Sequence, residues 1–229
     1  MEDYKSMGFE NKEQYMRYKN DIDDYEWLIP PFEFPLGVSD LSNMTKKQAQ
    51  EYFDWFIPKI PERVEYLRNR CAKDLSISVK ELDFSPDSLK PLWVWFLKIA
   101  KVEKMPDELL AKRQEHFGHL KVSAIFENDN QLSVVTQFII RDIGMYLGKV
   151  FTDNYNSITW NYLAKPKRDI HVNKPQLFGF VDTNYTPPFE LTFEPIHKTN
   201  VQAGKLISNT QKETDLYDIV MRFVDYVPK

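Results

Sequence analysis

The chain has 229 residues, 42% hydrophobic, 14% aromatic and 28% charged, a composition that suits a core-burying globular protein and excludes general disorder. Its net charge of −4 supplies no broad attraction to nucleic acid or to an anionic membrane, and its seven glycines leave little for phosphate-cradling loops. No apolar run approaches the roughly 18 residues of a membrane span, Cys71 has no second cysteine to pair with, and the acidic start Met1-Glu2-Asp3-Tyr4-Lys5 lacks a signal-peptide core, so the expected location is the cytoplasm.

Residues 1–44 form a distinct segment. They hold ten acids against four bases, a net of −6, which leaves the rest of the chain at +2. The run Trp27-Leu28-Ile29-Pro30-Pro31-Phe32-Glu33-Phe34-Pro35 is too aromatic for a disordered tail. We expect an acidic, aromatic arm, with a short helix over 10–19, lying on a single body that spans 45–229.

The body opens on helices, expected over 45–120. Thr45 with Gln48 makes a capping box, Ala49, Tyr52, Phe53 and Phe56 recur at helical spacing, and Pro58 stops the pattern. A second helix is expected from Pro61 to about Lys73 with Val64, Leu67 and Cys71 inward. A third begins near Pro86 or Pro91, since proline suits a first turn, and carries Leu89, Leu92, Trp93, Phe96, Leu97 and Ala100. Met105-Pro106-Asp107-Glu108 opens a short charged helix ending near Gly118.

An echo at forty residues sets Ala49 on Leu89, Phe53 on Trp93, Trp55 on Trp95 and Phe56 on Phe96. Solenoid repeats of this length need three or more copies, and no third appears near position 132. Two amphipathic core helices, each with one Trp pointing away from its apolar stripe, account for the pattern.

The longest helix is expected over 130–153. Leu132, Val135, Ile139, Ile143, Tyr146 and Val150 form its stripe, flanked by Ile140, Leu147 and Phe151, with Gln137, Arg141 and Gly148 on the polar side. Beyond it the period switches to alternation. Strands are expected over 157–163, over 171–181 with Pro175 marking an edge or a bulge, and over 189–193. Helices at 200–208 and 214–226 complete the part that spans 157–229. The fold class is α+β: a helical N-terminal half packed with a small, mostly antiparallel sheet and flanking helices.

No motif specifies a reaction. His116 and His119, with Glu115, form the most metal-like string, yet zinc wants three or four ligands and Gly118 ends the helix between them; no metal and no cofactor are expected. The carboxylates Asp21, Asp23, Asp24 and Glu26 beside Trp27 lack the glycine and distant Glu of a calcium loop. They read as a solvated face, or as an acidic rim steering a basic partner. Asp142, at the edge of the long helix's stripe, is a candidate general acid or base, with an ion pair to Arg or Lys as the ordinary alternative. Lys165-Pro166-Lys167-Arg168 is the compact basic run, and Cys71 reads as a packed thiol.

The stretch Arg141-Asp142-Ile143-Gly144-Met145-Tyr146-Leu147-Gly148, followed by Ile158-Thr159-Trp160, resembles a helix-to-strand element of uncharacterised bacterial α+β proteins, some regarded as immunity proteins of toxin systems. The likeness covers about residues 132–181 and implies a bacterial cytoplasmic protein; it transfers no functional residue.

The expectation that follows is a non-catalytic protein that binds another protein. Asp21, Asp23, Asp24, Glu26, Trp27 and the outward Trp55 and Trp95 are its candidate contacts. The competing class is a hydrolase assembled by the fold from Asp142, His171 and Glu115. A nucleic-acid binder using residues 165–168 ranks last, given the net charge.

Overall fold

The computed structural model describes residues 41, 44–105, 107, 110–111, 115, 129–166, 169 and 171–228. The chain divides into a unit Met1–Phe34, which lies outside the described residues, and a unit Pro35–Lys229. The body therefore starts earlier than Thr45: Met44 is fully buried, and Asn173 donates to the Leu41 carbonyl at 2.7 Å.

Three helices open the described chain. Helix α1 (Lys46–Phe56) carries the expected Thr45–Gln48 capping box and buries Ala49, Tyr52 and Phe56. A single 3-10 turn around Pro58 leads into α2 (Ile60–Leu75), which buries Val64, Leu67 and Cys71 as the spacing predicts, and Arg63 as it does not. Helix α3 (Leu89–Ile99) follows a 3-10 turn at Pro86–Ser88. Both candidate prolines are thus used, Pro86 starting the turn and Pro91 sitting in the helix's first turn. Of the expected fourth helix, Asp107, Leu110, Ala111 and Glu115 are helical and Met105 is not; the rest, Pro106, Glu108, His116 and His119 among them, lie outside the described residues.

Two short strands, β1 (Val102–Lys104) and β2 (Asn130–Leu132), pair antiparallel, with Val102 opposite Leu132. The long helix α4 (Val134–Asn154) therefore starts four residues later than its periodicity suggests. The reason is local. Ser133 caps it by accepting from the Thr136 N–H, and the Thr136 hydroxyl in turn accepts from the Lys101 N–H at 2.8 Å.

The main sheet comprises β3 (Thr159–Tyr162), β4 (Pro175–Asp182) and β5 (Phe189–Phe193), in the order β3-β4-β5 and antiparallel throughout. The edge expected from Pro175 is corrected: β4 is the central strand. Proline is tolerated there because it is the strand's first residue. The irregularity falls instead between Leu177 and Phe180. Gly179 sits there at φ +105, and a β-carbon on it would strike the Ser157 carbonyl, so glycine is required.

Helix α5 (Pro195–Gly204) begins straight after β5, five residues earlier than expected, and α6 (Asp215–Val224) ends the fold with Leu216 and Val220 buried. The result is the α+β class expected. Helix α4 lies between α2, α5 and the sheet. Phe151 meets Phe180 and Phe193 edge to face at 5.1 and 5.2 Å, and Phe223 of α6 meets Phe193 at 4.5 Å. Such aromatic pairs add to their area burial. Residues 142–148 are buried on every side of the helix, so Gly148 is not on a polar face. Among the described residues no helix is long and apolar enough to cross a membrane.

Candidate functional site

The three residues singled out for a hydrolase do not converge. Asp142, wholly buried on α4, receives both arms of Arg63 from α2, Nε at 3.2 Å and Nη2 at 2.7 Å. Burial pushes its carboxyl up to about 6, with Arg63 pulling the other way. A carboxylate held in this fork is a structural ion pair, the ordinary reading of Asp142, and it offers no face to a substrate. Glu115 is exposed on its helix, and among the described residues His171 pairs with Glu194 rather than with either acid.

The two outward tryptophans separate. Trp95 is 1% exposed, its indole N–H donating to Asp74 at 2.8 Å; as a surface contact it is corrected. Helix α3 buries Trp93 and Trp95 on different sides, Trp93 donating to the Lys212 carbonyl ahead of α6. Trp55 is half-buried and stacks on Tyr52 at 5.8 Å. The other contacts proposed, Asp21, Asp23, Asp24, Glu26 and Trp27, lie outside the described residues. So do Lys167 and Arg168 of the basic run, while Lys165 and Pro166 are exposed. Cys71 is fully buried, and burial, with Asp74 nearby, pushes its thiol up to about 12, which makes it inert.

Polar groups do converge around His171. The Asp169 carboxylate accepts the His171 backbone N–H, where the chain approaches β4. The end of β5 then brings Glu194 to the ring, its Oε2 standing 2.6 Å from Nδ1. Lys174 lies 3.8 Å from the same oxygen. His197, one turn into α5, stands edge-on to His171 with ring centres 5.1 Å apart. Burial raises Glu194 above the ordinary carboxylate value, against His171 and Lys174. Burial also lowers His197, aided by His171, Lys174 and Lys198. Whenever the His171 ring is neutral, a carboxylate on Nδ1 holds the proton there and leaves Nε2 as the acceptor. Among the described residues no group of three or more His, Cys, Asp or Glu is placed to hold a metal.

A second feature lies at the β4–β5 hairpin. Its connection, Thr183-Asn184-Tyr185-Thr186-Pro187-Pro188, is exposed at every residue, and Asp182 closes the turn by accepting from the Asn184 backbone and side chain. Tyr185 and Phe189 are 62% and 59% exposed, the two most exposed large apolar side chains among the described residues. Sequence reasoning passed over both. The signal was present, since a Thr-Pro-Pro loop flanked by aromatics has no amphipathic reason to carry them.

The chain matches no protein-family model, no curated protein and no solved structure.

Proposed function

We propose that this is a non-catalytic protein that binds another protein through the β4–β5 hairpin. The observation that carries the reading is the exposure of Tyr185 and Phe189 on one short hairpin. Large aromatics are the side chains that anchor protein interfaces, because they bury much area while losing little rotamer freedom. The two prolines between them restrict the loop before any partner arrives, which lowers the ordering cost of binding. Acids on the N-terminal segment, Asp21, Asp23, Asp24 and Glu26 with Trp27, would add steering charge. The likeness of residues 132–181 to immunity-like bacterial proteins would make the partner a toxin met in the cytoplasm.

The test is affinity capture from the native host with the wild-type chain and a Tyr185→Ser/Phe189→Ser variant, bound proteins being quantified. A partner held by the wild type and depleted about tenfold or more with the variant, a loss of about 1.4 kcal/mol, supports the reading. Equal capture by both, or no partner across conditions, contradicts it.

The 2.6 Å contact between His171 and Glu194 favours a second reading. In a hydrolase, Glu194 would orient the imidazole and Nε2 would take a proton from water or a hydroxyl. Asp142 and Glu115 have no part in that version. Turnover of a panel of ester, phosphoester and peptide substrates that falls in Glu194→Gln, with the fold intact, would support it; identical traces for both proteins would dismiss it.

A further inference from the structure

The geometry points to strand addition as the mode of binding: β5 takes up, along its outer edge, an extended partner segment that alternates apolar with basic residues. This rests on the protein-binding reading and specifies its partner.

The register decides which backbone groups face outward. Val181 pairs with Glu190, yet the Val181 N–H donates to the Tyr226 carbonyl at 2.8 Å, on the side of β4 away from β5. Val181–Glu190 is therefore a non-hydrogen-bonded pair, and the bonded pairs are its neighbours Phe180–Leu191 and Asp182–Phe189. By the same alternation, the N–H and C=O groups of Glu190 and Thr192 point away from the sheet. Strand β5 ends the order β3-β4-β5, and among the described residues no hydrogen bond reaches these four groups. An open edge of this kind is a template for another strand.

Side chains supply the specificity. Phe189, Leu191 and Phe193 share one face by strand alternation. Phe193 is buried against Phe151 and Phe223, whereas Phe189 remains exposed. An apolar residue of an added strand would sit across from Phe189. Glu190 projects to the other face and is exposed, and residues 182–190 hold two acids and no Lys or Arg. A Lys or Arg across from Glu190 completes a favourable cross-strand pair, while an acid there is repelled.

The experiment uses the full chain and a fluorescent ten-residue peptide that alternates Val and Lys. Its comparators are the same peptide N-methylated at every second residue and a Val/Glu counterpart. Thr192→Pro removes an outward N–H without touching a β4 bond, and Glu190→Lys reverses the charge. Strand addition predicts binding of the Val/Lys peptide that weakens about tenfold or more in Thr192→Pro, in Glu190→Lys and on N-methylation. Circular dichroism confirms that each variant folds, and the N-methylated peptide tests the edge on the wild type should Thr192→Pro not fold. Three results would overturn the proposal: no binding of the Val/Lys peptide, binding indifferent to both Thr192→Pro and N-methylation, or a wild-type dimer that Thr192→Pro dissociates, which would make a second copy the occupant. Loss of the native partner in Tyr185→Ser/Phe189→Ser but not in Thr192→Pro would leave the docking hairpin standing and remove strand addition alone.

Discussion

The indole of Trp160 on β3 fills the space that a β-carbon on Gly148 would occupy. This contact sets how closely α4 approaches the sheet, and one turn earlier Gly144 does the same for α5, where a β-carbon would lie 2.7 Å from Ile196. The i, i+4 glycines are therefore the seats of two neighbours. Replacing Gly148 with Ala forces the helix and strand apart, and overpacking of this kind costs about 1–3 kcal/mol or more. Chemical denaturation should show that loss, and Trp160→Leu should recover part of it in the double variant. Simple addition of the two losses would mean that the residues do not share the space.

Asp142 and Arg63 form a buried pair that joins α4 to α2. Removing one charge strands the other, at about 3–5 kcal/mol for a buried pair. Asp142→Asn should therefore lower the unfolding midpoint steeply, while Asp142→Leu with Arg63→Met should restore most of the stability. An Asp142→Asn protein as stable as wild type would contradict the assigned role.

The His171 cluster predicts a pH dependence of known sign. His197 is held below its ordinary value of 6.5, so the folded chain binds fewer protons there than the unfolded chain. Its contribution is complete above the unfolded value and is lost as pH falls through the folded one. Glu194 is raised, so its contribution is present below the unfolded carboxylate value and fades as pH rises through the folded one. Urea midpoints for wild type and His197→Gln, compared from about pH 7 down to about pH 5.5, should show a shallower acid loss in the variant. Parallel curves would place His197 in water.

Trp95 gives the clearest contrast within the forty-residue echo. Trp95→Phe removes its bond to Asp74, a loss of about 1 kcal/mol. A change within experimental error, read from thermal unfolding, would show that the bond contributes nothing. The counterpart Trp55 occupies a different environment, half-buried on Tyr52, so the aligned aromatics do not share a structural role.

Elements with a local cause were legible in the sequence. The Thr45 capping box, the stripe through Val64, Leu67 and Cys71, and the alternation of Phe189–Phe193 each fix structure from neighbours alone. Long-range relationships were not. The extra strand at Asn130–Leu132 depends on a partner some thirty residues earlier, and the burial of Trp95 depends on Asp74 on another helix. Pro175 reads as an edge because proline lacks a donor, but a first-residue position satisfies the same constraint inside a sheet. The ion-pair reading of Asp142 was available from its place on the stripe, although Arg63 was not. Glu194 was invisible as a partner for His171, since only the β5-to-α5 corner brings them together. Tyr185 and Phe189 stood in plain view beside a loop read only as a connection.

Amide hydrogen exchange on the full chain, with and without its captured partner, tests the central claim most directly. The account predicts that binding slows exchange across residues 182–193, with Glu190 and Thr192 changing from fast to slow while Phe189 and Leu191, already bonded to β4, change least. Protection centred on His171, Glu194 and His197 with the hairpin unaffected would contradict it.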